Sequence, residues 1–209
     1  MYVSITRRIL TPLVAVAALF ALGAGSAHAS LLVASGEGCN DYTSSPVFLP
    51  FADVASYTMA PGGDFENAAS SWNLSNAAPV AGDNEPFKIG NATDSSSLAI
   101  GSGGVATSPA MCVGLGQPDL RFFYKRTSGS VLSSLTVDVL FVDGLGNTQS
   151  LTIGKLGGVT GAWKLSPQMA IIANPLPLLD EGTPVAFRFT ASGGSYAIDD
   201  VYVDPWNKG

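Results

Sequence analysis

The sequence predicts an all-β chain of short strands arranged as an antiparallel sandwich or barrel. Three observations carry that reading. Two segments, Leu135 to Asp143 and Val185 to Ala191, alternate apolar and polar residues with period two. Glycine-rich turns divide the apolar runs, with 24 Gly and 13 Pro in 209 residues. After the first 29 residues, no 12-residue stretch keeps a helical period, and Pro175 and Pro177 interrupt the nearest one, Gln168 to Leu179. Charged residues make up 12% and hydrophobic ones 46%, the opposite of a disordered chain and enough for one real core. A chain of this size fits one sandwich domain.

Residues 1–29 read as a secretory leader. Arg7 and Arg8 supply its positive start, Leu13 to Ala24 its apolar run, and Ala27-His28-Ala29 a small-x-small cleavage pattern. The apolar run falls short of the ~20 residues that span a bilayer. Residues 30–61 form a Ser/Pro-rich arm, with a short apolar run from Val47 to Phe51, that is expected to pack on the domain. The domain itself is assigned to residues 62–209.

Within it, Leu120 to Lys125 reads as a strand with aromatics on both faces. In the next strand Leu135, Val137, Val139 and Phe141 face one way. Asp143 to Asn147 is a turn, and Leu151 to Ile153 pairs back as a hairpin. Val185, Phe187 and Phe189 face inward in a further strand, and Ser192 to Ser195 turns into the last one. There Ile198, Val201 and Val203 all belong in the core, yet strict alternation sets Ile198 against the other two. A one-residue bulge at Asp199-Asp200 reconciles them and re-aims one carboxylate.

Export changes the chemistry available. Two of ten basic residues leave with the leader, so eight remain against sixteen acidic ones and the net charge falls from −6 to −8. Such a surface repels nucleic acid and anionic membranes. His28 is the only histidine and leaves too, which removes His-dependent triads, general bases and metal sites. Cys39 and Cys112 are the only cysteines. In an oxidising compartment they are expected to pair, closing a 74-residue loop worth about 4 kcal/mol in the chain-entropy model. The alternative is two buried thiols.

Nucleophile-elbow, Ser-x-x-Lys and phosphate-loop motifs are missing, and Gly114-Leu-Gly116 and Gly144-Leu-Gly146 lack the third glycine of a dinucleotide loop. No catalytic residue is predicted. The sequons at Asn73 and Asn91 are read as chance matches in a bacterial-type exported chain.

Two stretches carry a resemblance. Gly63-Asp64-Phe65-Glu66 with Trp72 soon after, and the closing Tyr196 to Val203 with its Ile-Asp-Asp-Val, resemble the first and last strands of jelly-roll carbohydrate-binding modules. These belong to the galactose-binding-domain-like sandwiches. The resemblance implies an antiparallel β-sandwich of jelly-roll type over about residues 62–204, with first and last strands adjacent. It also implies a structural calcium ion where they meet, beside Glu66 and Asp199 or Asp200. Calcium accepts such carboxylates together with carbonyl oxygens.

The function expected from these readings is secreted, non-catalytic binding of extracellular glycan or cell-wall polysaccharide, with no nucleic-acid partner and no membrane insertion. Sugar recognition needs exposed aromatic faces beside hydrogen-bonding groups. Trp163, Tyr124, Arg121 and Arg188 are the candidates, with Trp163 as the stacking platform and Trp72 read as core. The competing expectation is a structural or adhesive domain of the cell envelope without a small ligand.

Overall fold

A computed structural model describes residues 42–67, 69–114, 118–158, 160–171 and 182–204. The predicted leader, Cys39 and residues 172–179 of the proline-interrupted segment lie outside the described residues. Among the described residues, eleven strands follow one 3-10 turn at Leu49–Phe51. They are β1 (Thr58–Met59), β2 (Asn73–Ala81), β3 (Ser96–Thr107), β4 (Met111–Val113), β5 (Asp119–Arg126) and β6 (Ser134–Val142). Then come β7 (Thr148–Leu156), β8 (Lys164–Leu165), β9 (Met169–Ala170), β10 (Thr183–Ser192) and β11 (Tyr196–Asp204). Among the described residues no helix is long and apolar enough to cross a membrane.

All strand pairings are antiparallel, in one curled sheet of order β7-β6-β10-β3-β11-β5-β8. It doubles over because β3 serves both layers. The C-terminal half of β3 pairs with β10, Thr107 opposite Arg188. Its N-terminal half pairs with β11, Ile100 opposite Tyr196. Layer one is therefore β7, β6, β10 and the end of β3; layer two is the start of β3, β11, β5 and its edge strands. β2 accompanies β3 around the corner, with a register slip at Asn76, whose φ is 48°. Gly104 makes the corner possible, since a Cβ there would collide with the Asn76 carbonyl oxygen.

Two serines repair interruptions in the ladders. Between β3 and β4, the Ser108 amide donates to the Phe187 carbonyl at 2.9 Å, and its hydroxyl accepts from the Phe187 amide at 2.9 Å. Between β8 and β9, the Ser166 amide donates to the Phe122 carbonyl at 2.8 Å, and its hydroxyl accepts from the Phe122 amide at 3.1 Å. Each keeps a buried backbone pair satisfied where the strand bulges away.

The last strand lies between β3 and β5 and also takes β1 at its side, Thr58 opposite Val203. This is a jelly-roll type of sandwich. Its core holds the positions expected from period two: Leu135, Val137, Val139, Phe141, Val185, Phe187 and Phe189 are all buried. Trp72 is buried with them, its ring centroid 5.0 Å from Phe65 and 5.9 Å from Phe189. The expected bulge is present. Asp199 pairs with Phe123 and Tyr202 with Arg121, three steps against two, and Asp200 takes φ 49°. Ile198, Val201 and Val203 thereby all face the core.

A second, smaller core lies on the outer face of layer two, under the segment from Val47 to Tyr57. Phe48 is fully buried there, with ring centroids 5.0 Å from Tyr57, 5.6 Å from Tyr202 and 6.1 Å from Phe123. Arg121 covers Phe48 at 5.2 Å and ties it down. The guanidinium donates to Asp53 Oδ2 at 2.5 Å and to the Ser166 carbonyl at 3.0 Å. Asp53 Oδ2 also accepts from Tyr57 at 2.8 Å and from Gln168 at 3.3 Å.

Burial alone would raise the Asp53 pKa, but hydrogen bonds from Tyr57 and Arg121 outweigh it and hold the carboxyl below its ordinary value. Its contribution to stability is thus complete above the ordinary carboxylate range, near pH 4, and is lost as pH falls through the lowered value. Thermal unfolding followed from about pH 7 to about pH 2 should show a steeper acid limb in the wild type than in Asp53→Asn. Superimposable limbs would mean that Asp53 does not anchor this segment.

Candidate functional site

The outer face of layer two carries an aromatic patch next to a buried acidic cluster. Along β5 the even positions Leu120, Phe122 and Tyr124 join the main core, while Arg121, Phe123 and Lys125 point outward. The loop between β2 and β3 lies over them. Phe87, 48% exposed, stacks on Phe123 with centroids 5.2 Å apart, and Phe51 meets Phe87 edge-on at 5.0 Å. Two positions further along β5, the Lys125 ammonium sits over the half-buried Trp163 ring at 4.6 Å and forms an ion pair with Asp83. Lys125 also ends a cross-strand row of Ala78, Ala99 and Ala197, whose small side chains keep this part of the sheet low.

Buried Glu85 fixes the loop. Its carboxylate accepts from the amides of Phe87 and of Ile89, the latter at 2.8 Å, and its own amide donates to Asp199 Oδ2 at 2.9 Å. Gly90, with φ 87°, lies so close to Tyr202 that a Cβ would collide with the phenol oxygen. Glycine meets both demands at once.

Under this loop Glu85, Asp94, Asp199 and Asp200 are all buried. Asp199 is satisfied by the amides of Glu85 and Asp200. No N–H or hydroxyl reaches either carboxylate oxygen of Asp200, which shares a carboxyl–carboxyl contact with Glu85, and Asp94 Oδ2, Asn84 Oδ1 and Ser97 Oγ likewise meet no donor. Those five atoms are most of the seven unpaired buried side-chain atoms among the described residues, so the deficit is local. Burial, and then the charge of Asp199, pushes Asp200 well above the usual carboxylate range. Burial also raises Asp199, against the pull of its two amide hydrogen bonds.

The expected calcium ligands are placed unequally. Glu66 is engaged elsewhere, accepting at Oε1 from the amides of Ser95 at 2.6 Å and Ser96 at 2.5 Å. Its charge still reaches the cluster through Asp94. Asp199 is committed to amides, whereas Asp200 meets no amide and lies against the Glu85 carboxyl. Among the described residues no three acidic, His or Cys side chains form a ready-made metal set. The open atoms are carboxylate and amide-carbonyl oxygens, a donor chemistry that suits a hard cation completed by carbonyls and water.

The four expected ligand-binding residues do not share a groove. Trp163 belongs to the outer patch. Tyr124 faces the interior, 8% exposed, because its position in β5 is an inward one. Arg121 is spent on Asp53, Ser166 and Phe48. Arg188 lies on the outer face of layer one, paired with Asp138 at 2.8 Å and donating to Ser150 at 2.8 Å. An open pocket of about 330 Å³, lined by Phe141, Asp143, Gln149, Ser150 and Leu151, adjoins that pair. Sequence reasoning missed Asp83, Phe87 and Lys125. The parity of β5 marks Lys125 as outward once Phe122 is known to face in, but nothing local brings residues 83–87 to it.

No family model matches the sequence, and no curated protein matches it. Solved structures similar to the chain include carbohydrate-binding modules. The second family-22 xylan-binding domain of Paenibacillus barcinonensis Xyn10C aligns at 13% identity and TM-score 0.49, over 68% of this chain and 96% of that one. A further family-22 xylan-binding domain aligns at 16% and 0.48, over 72% and 95%. The enzymatically active domain of tailspike protein 4 from bacteriophage CBA120 aligns at 16% and 0.46, over 68% of this chain. The chain spans 20% of that tailspike domain's length.

Proposed function

We propose that the chain is a secreted, non-catalytic module that binds extracellular polysaccharide through the patch around Trp163 and Phe87. One observation carries this reading: two partly exposed aromatic rings stand beside the Lys125–Asp83 ion pair on one sheet face. Rings of that kind take the C–H face of a sugar, while the ammonium and carboxylate reach its hydroxyls. A net charge of −8 after export favours a neutral polymer over an acidic one. The chemistry for turnover is thin, since no histidine remains after export and Lys125 and Asp83 neutralise each other.

We further propose one structural calcium ion under the β2–β3 loop, held by Asp200 with Asp94 and the Asn84 side-chain carbonyl, and bordered by Glu66 and Asp199. Bound there, it would supply the positive charge that the cluster lacks. The third element is a Cys39–Cys112 disulfide. Cys112 is buried in β4, and no cysteine among the described residues is free.

Trp163→Ala should lose at least about tenfold in polysaccharide affinity, roughly the 1.4 kcal/mol of one stacking face, with little change in melting temperature. Arg188→Ala, on the opposite layer, should bind as the wild type does. A stability loss of about 3–5 kcal/mol in Trp163→Ala would make Trp163 a packing residue and favour a structural or adhesive domain without ligand. Lost binding in Arg188→Ala alone would move the site to layer one. Millimolar calcium should raise the melting temperature above that in chelator, because an ion bound only to the folded state stabilises it; equal curves would rule the ion out. Thiol titration of the denatured, unreduced exported protein should find no free thiol, and two would disprove the disulfide.

A further inference from the structure

We infer that the outer edge of β7 is an interaction surface for a second copy of this chain, paired antiparallel about Ser150. β7 closes the layer-one end of the sheet, with β6 as its only strand neighbour among the described residues. Its edge is long and bare where the others are blunted. β1, β8 and β9 have two residues each, and β2 carries Pro79 and the register slip at Asn76. From Thr148 to Gly154, β7 holds no charge and no proline, and Gln149, Ser150 and Thr152 are exposed.

The β6–β7 hairpin sets the register. The Asp143 amide donates to the Asn147 carbonyl at 2.9 Å, and hydrogen-bonded pairs alternate from there along the two strands. The backbone of Gln149 and Leu151 is thus turned to β6, and that of Thr148, Ser150 and Thr152 to the open edge. The open run stops at Ile153, which the bulge displaces, and at Gly154, where a Cβ would stand 2.5 Å from Met169 Sδ of β9. Ser150 is therefore the midpoint of the free backbone. A two-fold axis there sets Ser150 opposite itself, and Thr148 opposite Thr152 of the second copy. Such pairs exchange about six backbone hydrogen bonds. The same register puts Leu151 of the second copy opposite Gln149, in a row with Phe141 on one face. The pocket of about 330 Å³ lined by Phe141, Gln149 and Leu151 lies at that row and receives the leucine. Strand addition of this kind takes affinity from the main chain and selectivity from such a pocket. Charge also favours a second copy here. Each chain carries −8 after export, and the uncharged run is where two copies repel least. Arg188 beside it is already neutralised by Asp138. The Trp163 patch lies on the other layer and stays open in the pair.

The contact is small beside the ~1,200–2,000 Å² of a stable complex, so the association depends on concentration. Sedimentation equilibrium of the full exported chain from about 10 µM to about 1 mM should pass from monomer to dimer mass. Ser150→Pro removes a backbone N–H that faces the open edge and none that serves β6. It should weaken dimerisation at least about tenfold, with a melting temperature near that of the wild type. Ser150→Lys, a second variant in case proline disturbs the strand, sets like charges on the axis and should also stay monomeric. Mixing Ser150→Lys with Ser150→Glu should restore a dimer holding one chain of each kind, because the two residues meet across the axis. Monomer mass for the wild type at every concentration would overturn the inference. A dimer that survives both Ser150→Pro and Ser150→Lys in folded chains would overturn it too, by placing the contact elsewhere. A mixture of the two charged variants that stays monomeric would overturn the pairing about Ser150. None of these outcomes bears on the polysaccharide reading.

Discussion

One strand, β3, is hydrogen-bonded into both layers, and the rest of the sandwich is arranged by that sharing. Its two halves accept different partners, so consecutive strands β10 and β11 are sent to opposite layers. The turn between them must cross the end of the core, and Gly193 and Gly194 occupy it, packed on Ser133 and Ser128. The same sharing places the β2–β3 loop at the start of β3, over the outer face of layer two. The acidic cluster and the aromatic patch meet there because a corner at Gly104 and Asn76 bends both strands together.

The bulge at Asp199-Asp200 is the second constraint. It lets Ile198, Val201 and Val203 fill the core on either side of an odd residue, at the cost of a left-handed Asp200. A non-glycine residue in that region is disfavoured by about 1–2 kcal/mol. Aspartate is among the better-tolerated residues there, which fits its place in the bulge. The cost continues in electrostatics, because the bulge turns a carboxylate into a buried site beside the carboxyls of Asp199 and Glu85. A packing solution in the core thereby creates a charge problem outside it, and the loop carrying Asn84 and Glu85 sits where that problem is largest.

Much of the fold was legible because period two is strong wherever one face is buried. The alternation in β6 and β10 predicts their inward residues, and the mismatch in β11 predicts the bulge. β2 was not legible: Asn-Leu-Ser-Asn-Ala-Ala-Pro-Val-Ala has few large side chains, and it is a strand because β3 pairs with it. The glycines of β3 mark a bend within a strand, Gly103 taking φ 78°, and no apolar period crosses them to show that the strand continues. The inward placement of Tyr124 is hidden for a different reason. Aromatics on both faces of β5 leave its inward side undecided from sequence, since Phe123 is as buried as Phe122. The contact between Glu85 and Asp199 joins residues 114 apart, which no local pattern encodes.

Those two buried faces of β5 also explain where the site lies. Phe122 serves the main core and Phe123 the smaller one beneath Phe48, so this strand is covered on both sides over much of its length. The outer cover ends at Lys125, where the bulky residues give way to the row of alanines. Phe87 and Trp163 are the last rings of the covered region and retain partial exposure because the packing against them stops. Lys125 cannot be buried without a partner, and its ammonium is met by Asp83 on one side and the Trp163 ring on another. The patch is therefore the boundary of a packed face, where apolar rings and a satisfied charge must lie side by side, and that juxtaposition gives it both an apolar surface and hydrogen-bonding groups, the two features that the proposed polysaccharide reading uses.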